Sequence, residues 1–253
     1  MSASPTSDSH LTDHDAGLNH RTAEGAIFLP DGRRVAAWSE VSLRMLHRSL
    51  APESPDAARL LLYRAGYEWG LQELLRLSQR FREESGGGSG AGFWHMDAAT
   101  VFDRWSAPLA IAGWGTWTVD RSAHASGITV VELHHSAIAA ALMSPPTPGE
   151  PAARELVEPV CHLYAGLFAG AVSFYDRAEA HAVETDCIAL GHDCCRFLVG
   201  SGATIDRAET ARREGAAHDA ILRAAIAPPA PPPAGAPAAP PAAAKPGNSP
   251  WRK

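Results

Sequence analysis

The sequence predicts an α+β fold: a small twisted antiparallel sheet of about four strands in two hairpins, covered by helices, with unstructured tails. Three observations predict it. Apolar residues recur at helical spacing over 54–84, 97–111 and 150–175. Between and after these stretches lie two pairs of short β-patterned runs, 114–120 with 127–135 and 178–185 with 194–199, each pair joined by a turn. Both ends change composition. Residues 1–25 are polar and small, and ten of the 20 prolines fall in the Pro/Ala-rich stretch 227–253. These ends read as disordered tails. The domain between them spans 26–226, with its core motif at 113–200.

The elements follow in order. GAIFLPDGRRVAAWSE offers a strand, a Pro-Asp-Gly turn, and a second strand or helix entry. Ser39 caps a helix to about Ser49 with Val41, Met45 and Leu46 as its apolar stripe. Ser54-Pro55-Asp56 opens a long helix to about Glu84, interrupted by Gly66 and Gly70. Each mid-helix glycine costs about 1 kcal/mol against alanine, which points to close packing against another element, the favoured reading, or to space for a ligand. ESGGGSGAG (84–92) reads as a flexible loop. Asp97 caps a helix to Ile111 with Val101, Phe102, Trp105 and Leu109 inward, and Ala112-Gly113 ends it. The first hairpin follows, with Val130 and Glu132 on one face of its second strand and Thr129, Val131 and Leu133 on the other. Ser136 to Met143 is a short helical turn or strand exit, and SPPTPGEP is a loop. A helix begins at Glu150 or Pro151, carries Cys161, and runs to Tyr175. Gly166 and Gly170 within it repeat the small-x3-small spacing of Gly66 and Gly70. The second hairpin turns at Gly191, and Ile205 to Ala225 forms a charged helix.

Composition excludes several classes. Net charge is -6, and the basic pairs Arg33-Arg34 and Arg212-Arg213 are isolated. No basic face for direct nucleic-acid binding is present. MSASPTSDSHLTDHDAG lacks the basic and apolar regions of a signal peptide. The longest low-charge stretch, Leu163 to Tyr175, is too short to span a bilayer. Four cysteines in a chain of this length do not make a secreted disulfide scaffold. A cytoplasmic protein is expected. No dinucleotide fingerprint, phosphate loop, nucleophile elbow or Cys-x2-Cys redox pair is present.

The chemistry concentrates between Cys161 and Gly200, which holds all four cysteines. Glu184 lies three residues before Cys187, and Cys194 and Cys195 are adjacent. Thiolates with a carboxylate or imidazole are the donor set of tetrahedral zinc, and four protein ligands would leave no open position. Neighbours on a strand face opposite ways, so one of Cys194 and Cys195 is a bystander, and Cys194 is the better candidate for it. His162, His181 and His192 are rivals for the fourth ligand, His192 foremost because it sits in the turn before Cys195. Against a metal site stands simple burial, since free cysteines commonly pack as small hydrophobes.

Aromatic residues gather in two places: Phe93, Trp94, Trp105, Trp114 and Trp117, then Tyr164, Phe168, Phe174 and Tyr175. They can fill a core, or line an apolar ligand pocket with a few polar anchors. Candidate ligand contacts are Trp94, His95, Trp114, Trp117, His134, Tyr164 and Phe168, with His135 as a further anchor.

Cys161 followed by Gly166 and Gly170, the run Glu184-Thr-Asp-Cys187, Gly191 and Cys195-Arg-Phe197 resemble the 4-vinyl-reductase domain family. The resemblance covers roughly Leu60 to Gly200 and is clear after Cys161. It implies a small antiparallel sheet backed by helices, often dimeric. It also implies a structural zinc held by Cys161, Glu184, Cys187 and Cys195, and a hydrophobic or aromatic ligand sensed by the domain. The ATPase and DNA-binding domains of the family's regulators are not recognisable here, so output is expected through a protein partner of unknown identity. A second implication is an accessory protein or vinyl-reductase-type oxidoreductase of tetrapyrrole metabolism that binds a porphyrin-like pigment. No nicotinamide or flavin motif supports catalysis by this chain alone. A third is a scaffold or adaptor built on the same fold.

Overall fold

The structure, a computed structural model, describes residues 19–21, 26–29, 32–50, 54–84, 91–146, 148–149 and 156–228. Most of the expected tails, most of the Gly/Ser loop and the expected helix start at 150–151 lie outside the described residues. The chain opens with a three-stranded antiparallel sheet of β1 (Asn19–Arg21), β2 (Ala26–Phe28) and β3 (Arg34–Val35). The strand at Asn19–Arg21 falls inside the stretch expected to be tail.

Helix α1 (Glu40–Leu50) begins at Ser39, whose hydroxyl accepts the N–H of Ser42. Its orientation is the reverse of the one expected. Val41, Met45 and Leu46 are about 40 % exposed, and Arg44 is buried. The reason lies at the end of α5 (Ala137–Met143). The Arg44 guanidinium donates to the carbonyls of Ala141 (3.1 Å) and Ser144 (3.4 Å). The last carbonyls of a helix have no intrahelical partner, and a cation complements them.

Helix α2 (Pro55–Glu84) crosses α6 (His162–Asp176), which is buried all round from Tyr164 to Phe174. The crossing is made by four glycines. A Cβ on Gly66 would lie 1.9 Å from the Leu163 carbonyl oxygen, and one on Gly166 would lie 1.9 Å from that of Tyr63. Gly70 and Gly170 repeat the pattern one turn on, each 2.1 Å from a carbonyl oxygen of the other helix. Any residue with a side chain at these positions would hold the two backbones apart. Close packing therefore accounts for both pairs.

Helix α4 (Ala98–Ile111) starts at Asp97, whose carboxylate accepts from the Thr100 N–H at 2.9 Å, and buries Val101, Phe102, Trp105 and Leu109. The short helix α3 (Ala91–His95) precedes it. The main sheet contains β4 (Thr116–Asp120), β5 (Ile128–His134), β6 (His181–Asp186) and β7 (Cys195–Gly200) in the antiparallel order β4-β5-β7-β6. The two expected hairpins are thus joined through β5 and β7, with Val131 opposite Phe197 and Leu133 opposite Cys195. One face of the sheet packs on α6 through Val131, Leu133, Cys195, Phe197 and Val199. The other face packs Ile128, Val130, Val183 and Leu198 against α7 (Gly202–Arg213) and α8 (His218–Ile226). The single helix expected over 205–225 is two, because Gly215 takes a left-handed conformation (φ 79°) that ends the first.

Candidate metal centre and aromatic interior

Three elements bring Cys161, Glu184, Cys187 and Cys195 together. Cys161 stands at the N-cap of α6 rather than inside a helix, as the expected helix from 150 had it. Pro159 disfavours helical backbone at the residue before it, so the chain stays non-helical from 156 to 161. Glu184 is carried by β6 opposite Phe197, and a bulge between Glu184 and Asp186 then shifts the register. Bulges re-aim the side chains around them. Here Glu184, Thr185 and Asp186 are all buried in succession. Cys187 follows at the strand exit, and Cys195 opens β7 on the same face as Phe197. Strand alternation thus selects Cys195. Cys194 is buried as well but stands outside the cluster.

One ligand atom from each of the four residues lies within 4.8 Å of the others, and all four side chains are buried. The Cys161 and Cys195 sulfurs are 3.7 Å apart. Zn–S bonds of about 2.3 Å in a tetrahedron place two sulfurs about 3.8 Å apart. Glu184 Oε2 accepts the Cys161 N–H at 2.8 Å, while its Oε1 is buried with no hydrogen-bond partner. A buried carboxylate oxygen without a partner is costly, and a cation would satisfy it. The donor set, the spacing and that orphan oxygen all fit a metal ion.

The electrostatics point the same way. Hydrogen bonds from Cys161 and then Cys195 hold the Cys187 thiol far below the ordinary range. Burial pushes Cys161 up. Burial, then the charge on Cys187, pushes Glu184 up. At Cys195 the hydrogen bond with Cys161 acts downward, but the one with Cys187 and burial outweigh it. Without a cation the pocket sustains little negative charge, and a divalent ion would allow all four donors to ionise. The rival histidines lie outside this group. His162 starts α6, with its pKa lowered to about 4 by burial and then by Arg59. His181 pairs with Glu179 (3.6 Å). His192 sits beside Asp186 (3.5 Å) and the Cys187 carbonyl (3.1 Å).

The predicted ligand residues separate into three places. Trp114, Trp117, Tyr164 and Phe168 meet in the interior. Tyr164 stacks on Phe168 at 6.1 Å, Trp114 approaches Tyr164 at 6.2 Å, and Trp117 meets Phe168 edge-on at 5.5 Å. The Tyr164 hydroxyl donates to the Trp114 carbonyl and accepts from the Ala137 N–H. Trp94 stacks on Phe174, beneath the Arg177 guanidinium at 3.9 Å, and meets Phe93 as its other ring partner. His95 and His134 are exposed, so neither anchors anything in the aromatic interior. His134 instead lines an open pocket with His135.

Trp105 belongs with the interior group, although the sequence does not single it out as a ligand contact. Its ring lies 5.2 Å from Trp117 and 6.2 Å from Phe168. The signal for it is its inward position on the helix capped by Asp97. Trp105 and Trp117 share one property: both are buried, and the indole N–H of each has no partner. Buried indole N–H groups usually find one.

Residues 149–201 match the family model of the V-4-R (vinyl-4-reductase) domain. Among solved structures, the fold is similar to the phenol-responsive sensory domain of the transcription activator PoxR with phenol. That match has a TM-score of 0.51 and 20% identity, over 81% of this chain and 91% of the other. A vinyl-4-reductase family protein from Methanocaldococcus jannaschii matches at TM-score 0.35 and 15% identity, over 55% of this chain and 66% of the other. No curated protein sequence matches the chain. All four cluster residues fall within the matched segment, on the strands and helix start described above.

Proposed function

We propose that this domain binds an aromatic small molecule carrying a hydrogen-bond acceptor, in the interior between α2, α4, α6 and β4, and reports it to a protein partner. The observation that carries this reading is the pair of unpartnered indole N–H groups on Trp105 and Trp117 beside Phe168. Two buried donors among packed aromatic rings suit a flat apolar ligand with an oxygen or nitrogen acceptor. The solved domain of similar fold is described as phenol-responsive, which agrees with that class. No observation at the site favours a porphyrin-like pigment, and the reading is of a binding protein rather than a vinyl reductase.

The test is a thermal-shift and calorimetric screen of phenols, aromatic ketones and plain aromatic hydrocarbons. A ligand at a hundred times its dissociation constant should raise stability by about 2.7 kcal/mol. Compounds with an acceptor should bind, and Trp105→Phe or Trp117→Phe should weaken them at least tenfold while leaving any hydrocarbon binding unchanged. Absence of a hit in all three classes would favour the scaffold reading.

Zinc is part of the proposal. We assign Cys161, Glu184, Cys187 and Cys195 as its ligands, in a closed structural site that ties the second hairpin to the start of α6. Metal analysis of the purified, reduced protein should give one zinc per chain. We also place the protein in the cytoplasm, where its thiols stay free. Among the described residues no helix is long and apolar enough to cross a membrane.

A homodimer completes the reading. The exposed stripe Val41, Met45 and Leu46 on α1, beside the exposed Trp38, is an apolar face on a helix whose Arg44 is buried. Two copies of α1 packed antiparallel would cover it and oppose their dipoles.

A further inference from the structure

The thiols of the cluster are buried, yet two residues that touch them also wall an open surface pocket of about 470 Å³. The Ser136 hydroxyl lies 3.3 Å from the Cys161 sulfur, and the Ile188 N–H donates to the Cys195 sulfur at 3.4 Å. One residue therefore separates the pocket from the sulfurs on each side. Its outer wall carries His134, His135 and Asp193, whose side-chain types all ligate borderline divalent metals. The backbone at this corner is unusual. Neighbours on a strand ordinarily face opposite ways. His135 takes a left-handed conformation (φ 55°) just past the end of β5, and both histidines line the same pocket. A non-glycine residue there carries some strain, and such strain concentrates at sites of function.

We propose that this pocket is the metal-exchange port of the cluster, a reading that rests on the zinc assignment above. A zinc-class cation entering it is met first by a single ligand, His134, His135 or Asp193. It then passes Ser136 and Ile188 to reach Cys161 and Cys195. In this ligand exchange the imidazole or carboxylate donor releases the cation, the thiols bind it as thiolates, and their protons leave to solvent. The port sets the rate of exchange in both directions and leaves the final affinity to the four buried ligands.

The test uses the full chain loaded with zinc. Transfer of zinc to the chromogenic chelator 4-(2-pyridylazo)resorcinol gives the release rate, and replacement by added cadmium gives the exchange rate. The variants are His134→Ala, His135→Gly, their double, and Ala140→Trp, which fills the pocket from its wall. Glycine at 135 retains the left-handed backbone without strain. The double variant and Ala140→Trp should slow both rates at least fivefold, with zinc content and melting temperature unchanged. Normal zinc content with unaltered rates in both would overturn the port and leave the metal centre standing. So would rates that rise with denaturant in parallel with global unfolding, because exchange would then run through the opened fold. A wild-type protein that holds no zinc would overturn the metal centre itself, and the port with it.

Discussion

The Glu184 carboxylate accepts the backbone N–H of Cys161 at 2.8 Å, tying β6 to the start of α6 across 23 residues of sequence. The contact uses Oε2, and the proposed metal ligation would use the free Oε1, so the two can be separated. Glu184→Gln keeps an acceptor for the N–H and loses the charge, and Glu184→Ala loses both. Structural zinc supplies on the order of 10 kcal/mol of apparent binding free energy, comparable to a domain's total stability of about 5–15 kcal/mol. Zinc content should fall in both variants, with the larger loss of melting temperature in Glu184→Ala. Cys161→Ser, Cys187→Ser and Cys195→Ser should lose metal likewise. Cys194→Ser should retain it at a cost of roughly 1 kcal/mol. Retention of full zinc by Cys195→Ser together with its loss from Cys194→Ser would reverse the ligand assignment.

His162 makes stability depend on pH. Burial first, then Arg59, lowers its pKa from 6.5 to about 4 in the folded chain. The folded state therefore binds fewer protons than the unfolded one through this group. Its contribution is fully present above pH 6.5 and is lost progressively as pH falls towards 4, by up to about 3 kcal/mol. Thiol protonation can release metal in the same range, so the comparison is with His162→Gln. Melting temperatures between about pH 7 and 5 should fall less steeply in the variant. Parallel slopes would show that His162 does not carry the effect.

Replacing a helical glycine by alanine on an open face stabilises by about 1 kcal/mol. At Gly66 and Gly166 the sign should reverse. The new Cβ would lie 1.9 Å from a carbonyl oxygen of the crossing helix, and backbone cannot give way as a side chain can. Each alanine variant should lose about 3 kcal/mol or more. At about 2–4 °C per kcal/mol for a domain of this size, that is a fall in melting temperature of roughly 10 °C. Calorimetry of the two single variants checks it.

The α1 face is tested by Met45→Glu, which places a charge in the exposed stripe. Light scattering after size exclusion should give a mass of two chains for the wild type and one for the variant, with ligand binding and zinc content unaltered. A monomeric wild type would remove α1 as a self-association surface.

Much of this is legible in the sequence, for identifiable reasons. Asp97, Pro55 and Ser39 mark helix starts by their own chemistry, and each helix begins there. Paired glycines four apart on two helices point to the crossing, because only backbone contact needs both. The cluster residues are legible from their spacing together with the resemblance, and strand alternation chooses between Cys194 and Cys195. Other features depend on contacts between distant residues. Arg44 faces inward because α5 presents carbonyls to it, and nothing in the α1 sequence reveals them. The break at Gly215 is hidden by helix-forming neighbours on both sides. Trp105 gains its interest only where it meets Trp117, a residue on another element. His95 and His134 are selected by residue type alone, and exposure is not written in residue type.

The four glycines also limit how the molecule can move. On each helix the glycines sit one turn apart, opposite carbonyls of the other. A small slide of α2 along α6 would drive those oxygens towards positions that carry side chains. Shear at this crossing is therefore blocked, and the pair behaves as a single rigid strut. Because Cys161 caps α6, the cluster of Cys161, Glu184, Cys187 and Cys195 is anchored to that strut.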